Sequence, residues 1–185
     1  MWVSISSVAV KVDDLSLASM MSDIYISIGS NIAAERHIRR ALAQLQQHYG
    51  QLQSSSVYKS KAVGFDGEDF LNLVVCLQTN ESVAQVAASL RQVEQDNGRE
   101  RNGPKFSSRT LDLDLLLYGD QVIDHDHIHL PRAEITVNAF VLLPLAELAP
   151  QLQHPVLKKS MQRLWNEFDH STQPITRYAM SLRDD

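Results

Sequence analysis

The chain has 185 residues, 44% of them hydrophobic and 21% charged, with a formal net charge of −5 at pH 7. This composition suits one ordinary globular domain with a real core, and it excludes a surface that grips nucleic acid through non-specific charge. No apolar run reaches the length of a membrane span, and the single cysteine, Cys76, excludes an internal disulfide and a thiolate zinc site, which fits a cytoplasmic setting.

Residues 1–22 alternate weakly through Trp2, Val3, Ile5, Val8, Val10 and Val12, with no basic leader region. They read as an N-terminal extension, either disordered or an added strand, ahead of a single domain over residues 23–185. Ile24 to Ile28 is a β-branched strand, and Gly29-Ser30-Asn31 ends it in a sequence suited to capping a helix. Ile38, Ala41, Leu42, Leu45 and Tyr49 keep helical spacing until Gly50. A second strand starts near Leu52 and runs through Val57 and Tyr58, a loop pivots on Gly64 and Gly67, and Phe70 to Thr79 is a strongly apolar third strand. Ser82 and Gln85 have the spacing of a capping box for a helix carrying Val83, Val86, Ala87, Leu90 and Val93, which Asn97-Gly98 closes.

A basic loop follows from Arg99 to Ser108, and then a strand, Arg109-Thr-Leu-Asp-Leu-Asp-Leu-Leu-Leu-Tyr118, stopped by Gly119-Asp120. Beyond it lie a short hairpin across Val122-Ile123 and Ile128-His129, a helix over Phe140 to Leu148, a last helix through Met161 and Leu164, and a weak strand over 175–182. The order β-α-β-β-α-β, with C-terminal additions, is that of an α+β ferredoxin-like fold. It predicts an antiparallel sheet with two helices packed on one face and the other face left open for a site.

Strand side chains alternate between faces, so Leu111, Leu113 and Leu115 share one side and Asp112 and Asp114 the other. At a separation of roughly 6–7 Å, two such carboxylates repel by about 2–3 kcal/mol at an effective dielectric near 20. Arginines compensate such a pair, and so does a hard cation such as Mg²⁺. Arg99, Arg101, Lys105 and Arg109 all precede the pair within a short span. Carboxylates for metal beside an arginine-rich loop are the equipment of phosphoryl transfer, although no P-loop or kinase glycine-rich loop is present. His125, His127 and His129 alternate and could share a strand face, as zinc ligands do, but no fourth ligand accompanies them, and they read as an exposed hairpin face.

The stretch from Arg109 to Gly119 resembles the signature of the 6-hydroxymethyl-7,8-dihydropterin pyrophosphokinase family. Tyr25 to Asn31, Phe70-Leu-Asn72, and Phe140 with Pro144 to Pro150 resemble further segments of it. The resemblance implies transfer of pyrophosphate from ATP to 6-hydroxymethyl-7,8-dihydropterin in folate biosynthesis, with release of AMP. It assigns two Mg²⁺ ions to Asp112 and Asp114, and transferring phosphates to Arg99 and Arg109. It places Glu94, Arg101, Lys105 and Arg132 at the nucleotide, and Ser60, Val63, Phe70, Asn72, Phe106 and Phe140 around the pterin, with the Arg99–Ser108 loop closing over both. The partners it implies are ATP and a reduced pterin, with no nucleic acid and no membrane. The sequence departs from the family pattern at Lys61, where proline is expected, at Arg132 and Ala133, where His and an aromatic are expected, and at Asn138, where Arg is expected. These departures keep a second reading in view, a non-catalytic pterin- or nucleotide-binding paralogue, and a third, an interaction domain whose aspartates are only structural.

Overall fold

A computed structural model describes residues 21–99, 108–125 and 127–182. The N-terminal extension (apart from its last two residues) and most of the basic loop, including Arg101, Lys105 and Phe106, lie outside the described residues.

The main sheet is built from β1 (Ser22–Ser30), β2 (Leu52–Ser54), β3 (Val57–Ser60), β4 (Phe70–Thr79), β5 (Asp112–Tyr118) and β8 (Ile175–Tyr178), while β6 (Ile123–His125) and β7 (Ile128–Leu130) form a separate hairpin. Its strand order is β5-β1-β4-β3-β8, with β2 also on β4, and every pairing is antiparallel. The first four strands of that order carry the ferredoxin-like arrangement read from the sequence. The strand predicted from Leu52 is broken in two at Ser55-Ser56. Ser55 bridges the break, because its Oγ accepts from Val74 N at 3.0 Å while its own N–H donates to the Val74 carbonyl at 2.9 Å.

Alternation sorts the core into two layers. Ile24, Ile26 and Ile28 of β1, Leu73 and Val75 of β4, and Leu113 and Leu115 of β5 pack beneath α1 (Ala34–Tyr49) and α2 (Val83–Asp96). Helical spacing in α1 brings Ile38, Ala41, Leu42 and Leu45 onto that layer. The opposite face is not left open along its whole length. α4 (Ala139–Leu148) and α5 (Met161–Glu167) cover its lower half, where Tyr25, Val74, Leu116 and Leu117 meet Leu142, Leu145 and Met161. The expectation of helices on one face alone is corrected here. The residues of α4 are apolar nearly all round, as a helix held between a sheet and another helix must be. The short helix α3 (Glu134–Val137) leads into it.

A bulge in β5 extends this second layer. Tyr25 pairs with Leu117 and Ile26 with Leu115, so Leu116 is an extra residue on the β5 side. Strict alternation would turn Leu117 toward α1 and α2; with the bulge, Leu116 and Leu117 both join the layer under α4, and Tyr118 joins the first layer.

Local signals held at three helix ends. Ser82 caps α2 in a full capping box with Gln85, Asn97-Gly98 ends that helix with Gly98 at φ 76°, and Gly50 ends α1 at φ 82°. Asn31 is not a helix cap. Ala33, in the left-handed region, occupies the cap of α1 without a side-chain bond, and the Asn31 amide is engaged elsewhere. Replacing Ser82 with Ala removes the hydroxyl that accepts the Gln85 N–H and leaves the backbone half of the box, so urea unfolding should show a loss of about 1 kcal/mol with an unchanged m-value.

Candidate active site

The site sits at the end of the sheet that α4 and α5 leave uncovered, with the first turn of α4 at its edge. Sheet register places its residues in rows. Gly29 of β1 pairs with Asn72 on one side and Asp112 on the other, and Ser27 pairs with Val74 and Asp114 in the next row. Cross-strand partners share a face. Asn72 and Asp112 therefore flank a glycine that contributes no side chain, and the floor between them is bare. A Cβ on Gly29 would stand 3.3 Å from Asn72 Oδ1 and 4.0 Å from Asp112 Cβ, so that gap depends on glycine.

The carboxylate pair is on one face, as the alternation required, and is matched by guanidinium groups. Arg99 Nη1 lies 2.5 Å from Asp112 Oδ1, and Arg109 Nη1 lies 2.6 Å from Asp112 Oδ2. Arg132 Nη2 reaches Asp114 Oδ1 at 3.1 Å and Glu134 Oε1 at 2.8 Å. Glu94 is buried at 2% exposure, bonds Arg99 Nη1, and accepts the Leu113 N–H at 2.9 Å. One carboxylate thereby ties α2, β5 and Arg99 together.

Arg109 is set from its backbone. Asn31 Oδ1 accepts the Arg109 N–H at 2.6 Å, the Arg109 carbonyl accepts from Asn31 N at 3.1 Å, and Ser30 Oγ donates to the Thr110 carbonyl at 2.6 Å. Asn31 Nδ2 also donates to Ser108 Oγ and to the Glu68 carbonyl, at 3.2 and 3.1 Å. This amide joins the end of β1 to the start of the Asp strand and to the loop before β4.

Two clefts meet at the carboxylates. The first, of about 400 Å³, is walled by Phe65, Phe70, Val63, Phe140 and Val141, with Asn72 and Ser60 along its floor. Asn72 is buried at 3% exposure, and its Nδ2 donates to Ser60 Oγ at 3.0 Å. The second, of about 250 Å³, is lined by Arg91, Glu94, His127, His129 and Leu130. Both clefts include Arg99, Asp112, Asp114 and Arg132.

Of the residues singled out in the sequence, Ser60, Val63, Phe70, Asn72 and Phe140 converge on the first cleft and Glu94 on the second, while Arg99, Arg132 and the aspartates stand between them. Lys61 also lines the first cleft and pairs with Asp69 at 2.9 Å. Sequence reasoning missed Phe65, Arg91, Glu134 and the clamp at Asn31. Arg91 lies three residues before Glu94, and that helical spacing was the available signal. The three histidines do not converge. Hairpin register pairs His129 with Asp124 and His125 with Ile128, so His125 and His129 face opposite ways, and His129 Nδ1 sits 2.5 Å from Asp124 Oδ1. Among the described residues no cluster of three or more His, Cys, Asp or Glu could hold a metal, and no helix is long and apolar enough to cross a membrane.

A sheet end that holds paired carboxylates among arginines, with an aromatic cleft on one side and a basic cleft on the other, defines an enzyme class that transfers a phosphoryl group to a flat acceptor. The comparisons narrow this. Residues 25–150 match the family 7,8-dihydro-6-hydroxymethylpterin-pyrophosphokinase (HPPK). The 2-amino-4-hydroxy-6-hydroxymethyldihydropteridine pyrophosphokinase of Pseudomonas aeruginosa is 36% identical over 140 residues, 74% of this chain and 86% of that protein. The enzymes of the same name from Bacillus subtilis, 32% identical over 161 residues (80% of this chain, 96% of that one), and Aquifex aeolicus, 31% over 144 (77% and 89%), are similar as well. Among solved structures, an HPPK-DHPS chain in complex with substrates superposes with a TM-score of 0.64 at 12% identity, covering 81% of this chain and 44% of that one. Wild-type Plasmodium falciparum HPPK-DHPS gives 0.60 at 12% identity, covering 80% and 44%, so this chain spans under half the length of those proteins and shares their fold. The chain belongs to the 7,8-dihydro-6-hydroxymethylpterin-pyrophosphokinase family.

The two carboxylates differ in their electrostatics, and that difference is measurable. Burial and then the Asp112 charge raise the Asp114 pKa, with Arg132 pulling the other way. The folded protein therefore holds this proton more tightly than the unfolded chain, and ionised Asp114 destabilises the fold at neutral pH. Asp114→Asn should hold or raise the melting temperature at neutral pH, and its advantage over wild type should shrink as pH falls through the carboxylate range. Asp112→Asn removes the charge of the carboxylate that Arg99 and Arg109 share and should cost about 1–3 kcal/mol. Melting curves at neutral and acidic pH check both, and equal destabilisation by the two variants would show that the Arg132 pair outweighs the desolvation of Asp114.

Proposed function

We propose that the aromatic cleft takes the pterin, the basic cleft takes the phosphates of ATP, and transfer occurs at the Asp112–Asp114 face between them. The chain transfers pyrophosphate from ATP to 6-hydroxymethyl-7,8-dihydropterin, giving AMP and the pterin diphosphate in folate biosynthesis. The observation that carries the assignment of sites is that both clefts border the same two aspartates and the same arginines.

Asn72 supports the pterin assignment. Its Nδ2 donates to Ser60 Oγ at 3.0 Å and, more weakly, to the Phe70 carbonyl at 3.5 Å, and its carbonyl oxygen is suited to accept from a ring edge. Phe70 and Phe140 supply faces for a heteroaromatic ring, with Ser60 and Val63 beside them. Arg99 and Arg109 rest on Asp112 and are the groups that would turn to phosphate when ATP arrives, while Glu94 steadies Arg99 and Arg132 stands on the nucleotide side. Hard oxygen donors on one strand face suit Mg²⁺, so Asp112 and Asp114 are the residues that would hold the two ions, which supply neutralisation of phosphate charge. Arg101, Lys105 and Phe106 join this reading through the family resemblance alone. We assign the activity to residues 23–185, with 1–22 as an extension, in the cytoplasm.

Arg132 gives the binding-paralogue reading its one specific support, because a guanidinium already occupies Asp114. Incubation with ATP, Mg²⁺ and the pterin alcohol separates the two readings. AMP should form only when the pterin is present, and Asp112→Asn and Asp114→Asn should each abolish it. Arg109→Ala should lower kcat by roughly 10²–10³ and change the pterin KM far less, because its partner is a phosphate in transfer. Pterin binding by the wild-type chain with no AMP would establish the paralogue.

A further inference from the structure

We infer that Phe65 contacts the substrate: its ring is the outer aromatic wall of the first cleft and governs how firmly the pterin is held. This rests on the assignment of that cleft to the pterin.

Phe65 lies in the loop between β3 and β4, whose base is fixed. Asp69 pairs with Lys59 at 3.2 Å and Lys61 at 2.9 Å, and Asn31 Nδ2 donates to the Glu68 carbonyl at 3.1 Å. The tip between these anchors is free to serve the cleft. Phe65 belongs to neither hydrophobic core, so packing of the domain does not account for a ring of this size at this place. It lines the cleft instead, with its centroid 6.3 Å from that of Phe70 and the planes at 86°, an edge-to-face pair. The two rings meet at a corner, so a flat molecule stacked on Phe70 would meet Phe65 edge-to-face.

Gly67 makes the pose feasible. A Cβ there would stand 2.3 Å from Phe65 Cε2 and 2.9 Å from Cδ2, so the ring lies directly over the glycine backbone. Any side chain at position 67 has to move the ring. The loop thus carries an aromatic wall and the gap that seats it within three residues. Phe65 takes no part in the second cleft, so its effect should be confined to the pterin.

The test titrates wild type, Phe65→Ala, Phe65→Leu, Phe65→Tyr and Gly67→Ala with 6-hydroxymethyl-7,8-dihydropterin in the presence of Mg²⁺ and an unreactive ATP analogue. The analogue alone is titrated in parallel, and melting temperatures report the fold. Phe65→Ala and Phe65→Leu should lose pterin affinity by roughly tenfold, Phe65→Tyr should stay within about twofold of wild type, and Gly67→Ala should weaken binding in the same direction. Affinity for the analogue alone should be the same in all five proteins. Wild-type pterin affinity in both Phe65→Ala and Phe65→Leu would overturn the inference and leave the cleft assignment standing. A wild-type protein that binds no pterin would overturn the cleft assignment and this inference with it.

Discussion

Two like charges on one strand face are the constraint around which this end of the protein is arranged. Asp112 and Asp114 cannot be relieved by turning away, because the leucines between and beyond them are committed to the layer under α1 and α2. Relief has to come from neighbours, and it comes from separate parts of the chain: Arg99 from the end of α2, Arg109 from the approach to β5, and Arg132 from beyond the hairpin. Two of those segments are in turn anchored by a group with another duty. Glu94 holds Arg99 while capping the Leu113 N–H, and Asn31 holds the Arg109 backbone while fixing the loop before β4. Neutralising the pair thus assembles the surroundings of both clefts.

The arginines are consequently not idle before a ligand binds. Their positive charge is stored against Asp112 and Asp114 in orientations that already face the clefts. In the reading proposed above, a phosphate that reaches them would exchange one anionic partner for another, with little side-chain ordering left to be done.

The strands and the long helices were legible in the sequence because each has a strong period and punctuated ends. The carboxylate pair was legible because alternation in a strand is a geometric certainty once the strand is right. What escaped depended on partners distant in sequence. Asn31 has the composition of a helix cap, and only the return of the chain at Arg109 and Glu68 shows where its amide goes. Both helices were read from the sequence but not where they pack, and the place of Leu117 in their layer was hidden because one inserted residue in β5 reverses parity there, which nothing in a run of leucines marks. Phe65 was passed over because aromatic residues in glycine-bearing loops carry no period at all. The three histidines lie exposed on the hairpin, as the lack of a fourth ligand suggested; their alternation along the chain is broken by a turn, with His127 at φ 65°.

The row Asn72–Gly29–Asp112 has a consequence for how distance is kept in this site. Neighbouring strands are held about 4.8 Å apart by their hydrogen bonds, so the Cα atoms of Asn72 and Asp112, at the two ends of the row, are separated by about 10 Å, whatever the surrounding loops do. In the reading proposed above, one group grips the ring and the other serves the atom that accepts phosphate. The sheet then works as a ruler laid along the substrate. A ring whose reactive arm is longer or shorter by a bond reaches the wrong graduation, and no rearrangement of a loop corrects it.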